Sequence, residues 1–490
     1  MTAPPLLLAL HSCSDCLGMA LLDPQQPGPE PLVQVHPDGR GLSNSLISRV
    51  QALLPPERWP QLQGRAVATG PGGFTGTRLT VVMARALAQQ LDCPLLGVSS
   101  YALMAPRLER QLPQAMQGEP FWITQELPRR GVVGGQYRIT AGQVHELSLP
   151  TLLPQGASPQ PAVEAQLDVE ADVAWLLQLL QRSHAAGAAM QQLQDAGFNR
   201  VVPNVWSRGT TFHRSRFAPV EPQLKKAGVG LDPICTLAAE GRRRGIKVMP
   251  WFEYGLMEPA DSSVVRNNPS WVLAKANGQR WMAMHGNHRM AWLNPAHPEV
   301  RARFIGLVVE TLKRCPMDGL QLDDHFAWPV QFGYDPTTVA LYRQETGLAP
   351  PREHSNRQWM KWRRNHLTSL LRELRQRLKQ ERLPTRISLS PGPFRSAYNL
   401  WLQDWELWAL GGLIEELVVQ NYAYSVRGFA KDLDQPALRK ARDWGIPSQI
   451  GVLAGFGKRT TSMAVLEQKV RLARQRGHGV IFFYWEGLWG

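Results

Sequence analysis

Two adjacent carboxylates, Asp323 and Asp324, close an apolar segment of this 490-residue chain, in the sequence GLQLDDHF. A third carboxylate, Glu253, closes another such segment, IKVMPWFEY. Paired carboxyl groups commonly cleave glycosidic bonds, one acting as an acid and the other as a base or nucleophile. Trp and Tyr side chains supply flat apolar faces for sugar rings and polar edges for their hydroxyl groups. Because Trp and Tyr accompany these carboxylates, the pattern predicts glycosidic bond cleavage.

The two adjacent aspartates are expected to play different parts. Successive residues of a strand point to opposite sides, so both cannot face the site while the strand stays regular. Asp323 shares a face with Gln321, and we expect it to point inward while Asp324 orients a loop or a neighbouring base. The alternative is that the pair caps a helix and anchors a loop. His325 beside them is either a metal ligand or, more commonly, a hydrogen-bond partner, and no metal or cofactor is predicted.

Other polar and aromatic side chains also follow the ends of apolar segments. Glu253 and, in reserve, Glu486 are the candidate catalytic partners of Asp323, although each can instead form a structural contact. The candidate substrate contacts share this position at a segment end: Asn204, Trp206, Arg208, Trp251, Tyr254, His325, Gln420, Tyr422 and Tyr484. A single Trp is more often a packing residue than a sugar platform. The convergence of these residues is therefore the stronger signal.

Strand-like segments must position these residues, and they lie at 199–206, 246–254, 319–326, 385–393, 416–424, 447–455 and 479–487. Amphipathic helices are predicted between them, for example at Val300–Cys315, Trp359–Arg382 and Met463–Arg476. Apolar strands that alternate with helices predict parallel βα units, and this repeat predicts a (β/α) TIM-type barrel with its active site at the C-terminal strand ends. Seven strands rather than eight predict a barrel that lacks its first strand.

Several long segments of this region resemble bacterial glycosyl-hydrolase-like barrels of the family-10-like group, which carry a strand-DG-x-x-x-DD pattern. The matching stretches include AGFNRVVPNVWSRGTTFHRS, GIKVMPWFEYGLM, MDGLQLDDHF, ISLSPGP and VVQNYAYS, spread over nearly all of residues 190–490. The resemblance implies an enzyme that hydrolyses a polysaccharide or cell-wall glycan. It also implies Asp323 as nucleophile or base and Glu253 as acid.

The first part of the chain carries a different pattern: a hairpin, a helix, and then a strand, a glycine-rich loop and a helix. The loop from Gly70 to Gly76 precedes a predicted helix at Thr77–Leu91. Such loops bring backbone N–H groups close to an anion, but no Gly-Lys-Ser/Thr ending follows, which excludes a P-loop. A tight turn that packs the helix closely is the simpler interpretation. Cys13 and Cys16 are likewise interpreted as ordinary small residues.

The segments LALHSCSDCLGMALLD, GPGGFTGTRLTVVMARALA and PLLGVSSYALMA resemble TsaB, a partner-subunit family of the bacterial complex that makes N6-threonylcarbamoyladenosine in tRNA. The resemblance implies an actin-like, ribonuclease H-like fold and a non-catalytic role beside a TsaD-like actin-fold subunit. The implied pairing surface is the helix after the glycine loop, with Phe74, Thr77, Arg78, Val81, Ala84, Arg85 and Ala88. His11 stands where the family has an acidic residue, so metal or phosphate chemistry is not expected there.

Charge divides the chain at the same place as the motifs. Residues 1–187 carry a net charge of −2 and residues 188–490 carry +16, and the first lysine is Lys225. We therefore expect an α/β chain with a TsaB-like domain at 1–187, truncated at its end, and the barrel at 188–490. The basic residues lie on predicted helices rather than in an aromatic RNA-binding motif, so they require no nucleic acid partner.

Compartment and overall role stay open at this point. Scattered cysteines and the lack of a signal peptide or membrane segment favour the cytoplasm. The leading hypothesis for the whole chain is an enzyme whose barrel hydrolyses glycans. The alternatives are a TsaB-like scaffold that carries an inactive barrel, and a gene fusion in which both parts were cut at the joint and neither works.

Overall fold

The computed structural model describes residues 5–26, 30–91, 93–127, 130–140, 143–222, 224, 233–284, 288–456, 459–485 and 488. The chain divides into two compact units. The first combines Met1–Phe198 with Gln223–Arg244, and the second combines Asn199–Pro222 with Gly245–Gly490. Both units mix helices and strands, so the predicted α/β class is confirmed. Within the described ranges, no helix is long and apolar enough to cross a membrane.

The first unit contains two sheets. Its strands are β1 (Leu7–His11), β2 (Leu17–Leu22), β3 (Leu32–His36), β4 (Gly64–Ala68), β5 (Leu95–Val98), β6 (Phe121–Leu127), β7 (Gly131–Thr140), β8 (Gln143–Leu152) and β9 (Ala162–Glu164). The first sheet has the order β3-β2-β1-β4-β5 and the second the order β8-β7-β6-β9. β1 and β2 pair antiparallel, as the predicted hairpin, and β1 pairs parallel with β4. All residues of β1 and β4 are buried, because packed helices cover both faces of this sheet.

Alternation along β1 explains how the helices are placed. Leu8 and Leu10 point to the face covered by α1 (Leu42–Leu53) and α2 (Phe74–Gln90). Leu7 and Ala9 point to the opposite face, as the period of two requires. The helix α3 (Ser100–Glu109) packs on the second sheet in a core of its own. Short 3-10 helices lie at Gly39–Gly41, Pro56–Gln61 and Gln114–Met116.

A long helix, α4 (Val169–Asp195), passes through the position of the predicted domain boundary. Asp168 caps it by accepting a hydrogen bond from the amide of Ala171. Its first half buries Val173, Leu176 and other apolar residues against the first sheet. Its second half approaches α5 (Pro233–Arg244), where Gly187 lies close to the Glu240 carboxylate. The segment predicted as helical is therefore one continuous helix that closes the core of the first unit.

The second unit is built on parallel strands that follow one another in sequence order. Its strands are β10 (Arg200–Val201), β11 (Trp206–Ser207), β12 (Thr210–Thr211), β13 (Lys247–Val248), β14 (Trp251–Phe252), β15 (Met257–Pro259), β16 (Met282–Met284), β17 (His288–Trp292), β18 (Leu320–Asp323), β19 (Ile387–Ser390), β20 (Glu416–Asn421), β21 (Ser448–Leu453), β22 (Gly455–Phe456), β23 (Arg459–Thr460) and β24 (Gly479–Phe483). β10 and β13 form a two-stranded parallel sheet, and a six-stranded parallel sheet has the order β14-β18-β19-β20-β21-β24. β14 follows β13 along the chain after two residues, so the two sheets form one series of parallel strands. Each of these lies in one of the predicted segments.

Helices connect these strands: α6 (Ser263–Asn267), α7 (Pro298–Lys313), α8 (Pro336–Thr346), α9 (Arg357–Gln380), α10 (Phe394–Leu400), α11 (Trp405–Leu410), α12 (Val426–Leu433), α13 (Pro436–Asp443) and α14 (Met463–Gln475), with a 3-10 turn at Pro269–Trp271. The helices predicted at Val300–Cys315, Trp359–Arg382 and Met463–Arg476 correspond to α7, α9 and α14. A small antiparallel sheet, β15-β17-β16, is inserted after β14.

Contacts between distant strands require the parallel sheet to curl. Arg200 on β10 donates a hydrogen bond of 2.5 Å to the Glu416 carboxylate on β20, with three strands between them. In a flat sheet those strands would lie about 19 Å apart, at about 4.8 Å per step, beyond the reach of the two side chains. Nearer the other end of the strands, the rings of Trp251 on β14 and Phe483 on β24 are 5.9 Å apart. The number of barrel strands and their closure stay predictions.

Cysteine chemistry differs from what the sequence suggests. Cys13, Cys16 and Cys93 are free thiols, and Cys13 is buried, which agrees with its interpretation as a packing residue. Cys315 is disulfide-bonded. A disulfide is more common in oxidising compartments, so the cysteines no longer support a reducing one. The cytoplasmic location stays a prediction.

Candidate functional site

The candidate carboxylates meet at the C-terminal ends of β14 and β18. These strands pair in parallel, with Trp251 beside Gln321 and Phe252 beside Leu322. Continuing this register by one residue places Glu253 beside Asp323, at the roughly 5 Å spacing of neighbouring strands. The four residues of β18 are all buried, so the apolar strand delivers Asp323 to the rim of the sheet. The predicted convergence of Asp323 and Glu253 follows from this register.

Asp323 is held by hydrogen bonds from three directions and is only 2% exposed. Its Oδ2 accepts a bond of 2.7 Å from the Trp251 indole N–H. Its Oδ1 accepts a bond of 2.5 Å from Gln420 Nε2 and one of 2.6 Å from the amide of Asp324. Gln403 fixes the main chain, because its Nε2 donates to the Asp323 carbonyl oxygen at 3.0 Å. The carboxyl group is thus locked in one orientation.

Asp323 and Asp324 come together instead of diverging. The expectation of opposite directions assumed a regular strand, but β18 ends at Asp323 and the chain turns. Ligand atoms of Asp323, Asp324 and His325 consequently lie within 4.8 Å of one another. Burial raises the pKa of Asp323 well above its ordinary value, and the neighbouring Asp324 and Glu253 carboxylates raise it further. Two carboxyls this close retain a proton to higher pH than an isolated aspartic acid.

Glu253 and His325 complete the carboxyl cluster. The Glu253 carboxylate accepts a hydrogen bond of 2.6 Å from the Asn204 amide. His325 Nδ1 lies 3.0 Å from the Glu253 carbonyl oxygen and 3.4 Å from Asp324 Oδ1. A carbonyl oxygen only accepts, so Nδ1 carries a hydrogen. His325 therefore fills the expected role of hydrogen-bond partner through this nitrogen.

Hydrogen bonds already engage the Asp323 carboxyl. Both of its oxygens accept from N–H donors of Trp251 and Gln420, and Oδ2 has a further lone pair. With the Asp324 carboxyl beside it, the pair can share a proton.

Three aromatic side chains, Tyr422, Phe483 and Tyr484, pack together beside the carboxyl cluster. The Tyr422 ring stacks on Phe483 with centroids 5.5 Å apart, and Phe483 contacts Tyr484 at 5.0 Å. Burial raises the pKa of Tyr422 far above its ordinary value, and the charges of Asp323, Asp324 and Glu253 raise it further. The phenol consequently stays neutral and can donate a hydrogen bond. Sequence reasoning identified Tyr422 and Tyr484, but it missed Phe483, whose apolar type reads as ordinary strand packing.

Tyr254 and Arg208 lie on the neighbouring side of Glu253. Burial and the Glu253 charge raise the pKa of Tyr254, whereas a hydrogen bond with Arg208 opposes this shift. Arg208 is exposed and has a left-handed φ of 52° in the turn between β11 and β12. The Tyr254 ring also contacts His325, with centroids 5.8 Å apart. The exposed Arg208 guanidinium therefore contacts Tyr254, and Tyr254 contacts His325 of the carboxyl cluster.

Some predicted site residues are placed elsewhere. Trp206 is 1% exposed, donates through Nε1 to the Gly255 carbonyl oxygen at 3.2 Å and packs against the Arg303 guanidinium. This burial argues against the expected sugar contact, because the indole has no free face. Glu486, the reserve catalytic residue, lies outside the described residues. Gln403, which no sequence signal indicates, is the main-chain anchor that sequence reasoning missed.

The implied pairing helix of the first unit is only partly available. Thr77 and Ala84 are buried in their own core, so these two cannot form a partner surface. Phe74, Arg78 and Arg85 are exposed, and the Arg78 guanidinium lies 4.6 Å above the Phe74 ring. The predicted surface is therefore corrected to the outer face of α2.

The glycine loop before α2 is explained by packing. A Cβ atom on Gly72 would lie 2.0 Å from the Cys13 carbonyl oxygen. Gly73 donates from its amide to that same oxygen at 2.8 Å. The loop must approach the turn after β1 more closely than any side chain permits, as the simpler interpretation of the sequence requires.

Comparisons with known proteins confirm both resemblances. Residues 170–472 match the family described as Glycosyl hydrolase-like 10. Residues 57–117 match the family described as tRNA N6-adenosine threonylcarbamoyltransferase. Glycosyl hydrolase DigH of Escherichia coli strain K12 is 25% identical over 257 residues, which cover 48% of this chain and 56% of DigH. The chain thus spans about half the length of the curated relatives it matches.

Two solved structures are also similar. The glycoside hydrolase domain of PgaB from Bordetella bronchiseptica has a TM-score of 0.51 at 13% identity, covering 63% of this chain and 90% of that domain. This likeness concerns the fold alone. YeaZ from Pseudomonas aeruginosa is 25% identical, with a TM-score of 0.26, and covers 32% of this chain and 75% of YeaZ.

Proposed function

Since this chain belongs to the glycosyl hydrolase-like 10 family, we propose that its second unit hydrolyses O-glycosidic bonds of a polysaccharide or cell-wall glycan. The observation that carries the proposal is the carboxyl cluster at the ends of β14 and β18. It combines a proton-holding pair, Asp323 and Asp324, with a separate carboxylate, Glu253. Glycosidic cleavage needs one protonated and one ionised carboxyl group. The name of the matched relative, a glycosyl hydrolase, supports this choice.

In this proposal the aspartate pair is the acid and Glu253 is the nucleophile or base. The family resemblance implies the reverse assignment, but the raised pKa of Asp323 favours a protonated pair. Glu253 accepts a hydrogen bond from the Asn204 amide, which holds its carboxylate in place. The pair gives its proton to the leaving glycosidic oxygen as the bond to the anomeric carbon breaks. Glu253 attacks that carbon or activates water, so that one water molecule is added in total.

The surrounding side chains position the sugar. Tyr422 and Tyr484 offer ring faces, and the neutral Tyr422 hydroxyl can donate to a sugar oxygen. Gln420 and Trp251 hold Asp323. Tyr254 and Arg208 border the cluster on the Glu253 side, where they are suited to contact polar groups of the substrate. Trp206 is left out of this set because it is buried.

A hydrolysis assay on a panel of glycans tests the proposal with three variants and two controls. Asp323→Asn, Asp324→Asn and Glu253→Gln are each expected to lower kcat by about 10²–10⁴-fold, the usual contribution of a positioned acid or base. Asp261→Asn and Glu467→Gln alter exposed carboxylates of the same unit and are the matched controls. The absence of hydrolysis on any glycan, or equal rates in all variants, would contradict the proposal.

The first unit is proposed to be a non-catalytic module that pairs with a TsaD-like actin-fold subunit. The family match over residues 57–117 supports this, since that stretch includes α2. Arg78→Glu on the exposed face is expected to abolish co-purification with such a subunit. Gln51→Glu, exposed on α1, is the control that should leave pairing intact. Equal recovery of the partner with both variants would refute the corrected surface.

A further inference from the structure

The three donors on Asp323 affect the pH at which the carboxyl pair releases its proton. Trp251, Gln420 and the amide of Asp324 all direct N–H groups at the Asp323 carboxyl. An N–H donor stabilises a charged acceptor more than a neutral one. These donors therefore oppose the effect of burial, which favours the neutral form of Asp323.

Exposure acts against these donors. Asp323 is 2% exposed, whereas the Asp324 side chain is 26% exposed, so desolvation favours the neutral form of Asp323. We infer that Gln420 and Trp251 are positioning residues that hold the Asp323 carboxyl in one orientation and allow it to ionise in this buried turn. This inference rests on the proposed function.

Three further groups face the pair from the neighbouring elements. Glu253 stands at the end of β14, His325 follows in the same turn, and Tyr422 follows β20. Repulsion from the Glu253 carboxylate favours retention of a proton in the pair. Tyr422 is neutral, so it adds no charge. His325 directs its Nδ1 hydrogen at the Glu253 carbonyl oxygen and stands beside Asp324 Oδ1.

A second hydrogen bond fixes the orientation of the Gln420 side chain. Its Nε2 donates to the Ser390 carbonyl oxygen on β19 at 3.0 Å as well as to Asp323. Both amide hydrogens are therefore engaged, which fixes the orientation of the side chain. A methionine has nearly the same shape but no N–H, so Gln420→Met removes the donor while filling the space.

The test is the pH dependence of kcat/KM on whichever glycan the enzyme hydrolyses. Gln420→Met and Trp251→Phe each remove one donor, so the pair should release its proton at a pH about one unit higher, the size expected for a hydrogen bond to a charged group. The alkaline limb of the profile should move up by that amount, and kcat should fall. Gln403→Met, which loses a contact to the Asp323 main chain only, should leave the limb in place.

A second measurement keeps the inference separate from the proposed activity. The carboxyl carbons of ¹³C-labelled aspartate report the titration of the pair directly in the full chain, by NMR. If no glycan is hydrolysed but Gln420→Met still shifts this titration upward, the proposed function fails and the positioning role stands. If hydrolysis occurs and neither the limb nor the titration moves in Gln420→Met and Trp251→Phe, the positioning role is overturned.

Discussion

The stability of the second unit should depend on pH through one buried glutamate. Glu258, on β15, is fully buried, and one of its carboxyl oxygens lies 3.1 Å from Arg303 Nη2. Burial raises its pKa from 4.5 to about 7, because desolvation of the charge outweighs the attraction of Arg303. Replacing Glu258 by glutamine keeps the shape of the side chain and removes the titration. The comparison therefore isolates the effect of one proton.

The magnitude and sign follow from linkage. Between pH 4.5 and about 7 the folded protein holds a proton on Glu258 that the unfolded chain releases, so stability falls as the pH rises. A tenfold change in the acid constant is worth about 1.4 kcal/mol, so the loss over this window is about 3 kcal/mol. For a unit of about 270 residues, that corresponds to about 5 °C in Tm.

The assay is thermal unfolding of the wild type and Glu258→Gln at a series of pH values from 4.5 to 8. The difference in Tm, variant minus wild type, should rise by about 5 °C over this range, whatever its starting value. Glu467→Gln, at an exposed carboxylate on α14, should give a difference independent of pH. A flat difference for Glu258→Gln would refute the reasoning, because Glu258 would then titrate alike in the folded and unfolded chains.

Two further predictions concern packing and the curled sheet. Gly72→Ala should destabilise the first unit by at least about 3 kcal/mol in chemical denaturation, because its Cβ would lie 2.0 Å from a main-chain oxygen. Gly41→Ala is the control and should be nearly neutral, because the space around Gly41 is open. Equal stabilities of the two variants would disprove the close approach at Gly72. Arg200→Met should cost about 3 kcal/mol by leaving the buried Glu416 without its main cation, and the double variant Arg200→Met/Glu416→Gln should recover most of this. Failure of the second change to restore stability would argue against the cross-sheet ion pair.

The sequence allowed most of the second unit to be predicted, because its strands are continuous apolar runs that end in polar residues. β18 and β14 carry Asp323 and Glu253 to neighbouring positions by register alone. The relative positions of Asp323 and Asp324 could not be predicted, because they depend on the residue at which β18 ends. The meeting of Asp323 and Asp324 follows from the end of β18 at Asp323, and alternation along a strand cannot foresee it.

Burial was the other limit of sequence reasoning. Trp206 was expected to contact sugar because it follows a strand, yet the cation of Arg303, which is distant in sequence, covers its ring. Ala84 was assigned to a partner surface because it is small, but it is buried in its own core. In both cases the residue type fits two environments, and only the tertiary contacts distinguish them.

The joint between the two parts of the chain bears on the third hypothesis, a fusion that damaged both. Such an event would leave the first sheet uncovered where the closing segment was lost. Instead, the first half of α4 covers that face with Val173, Leu176, Leu177 and Leu180. The glycosyl hydrolase-like match begins at residue 170, one residue into the same helix. The helix that closes the first core therefore lies within the family match, and a cut after residue 187 would sever it. Because the predicted joint falls inside one continuous helix of the first unit, that helix covers the first sheet where the fusion hypothesis expects a loss, and the proposed hydrolysis and the proposed pairing should be tested in the intact chain.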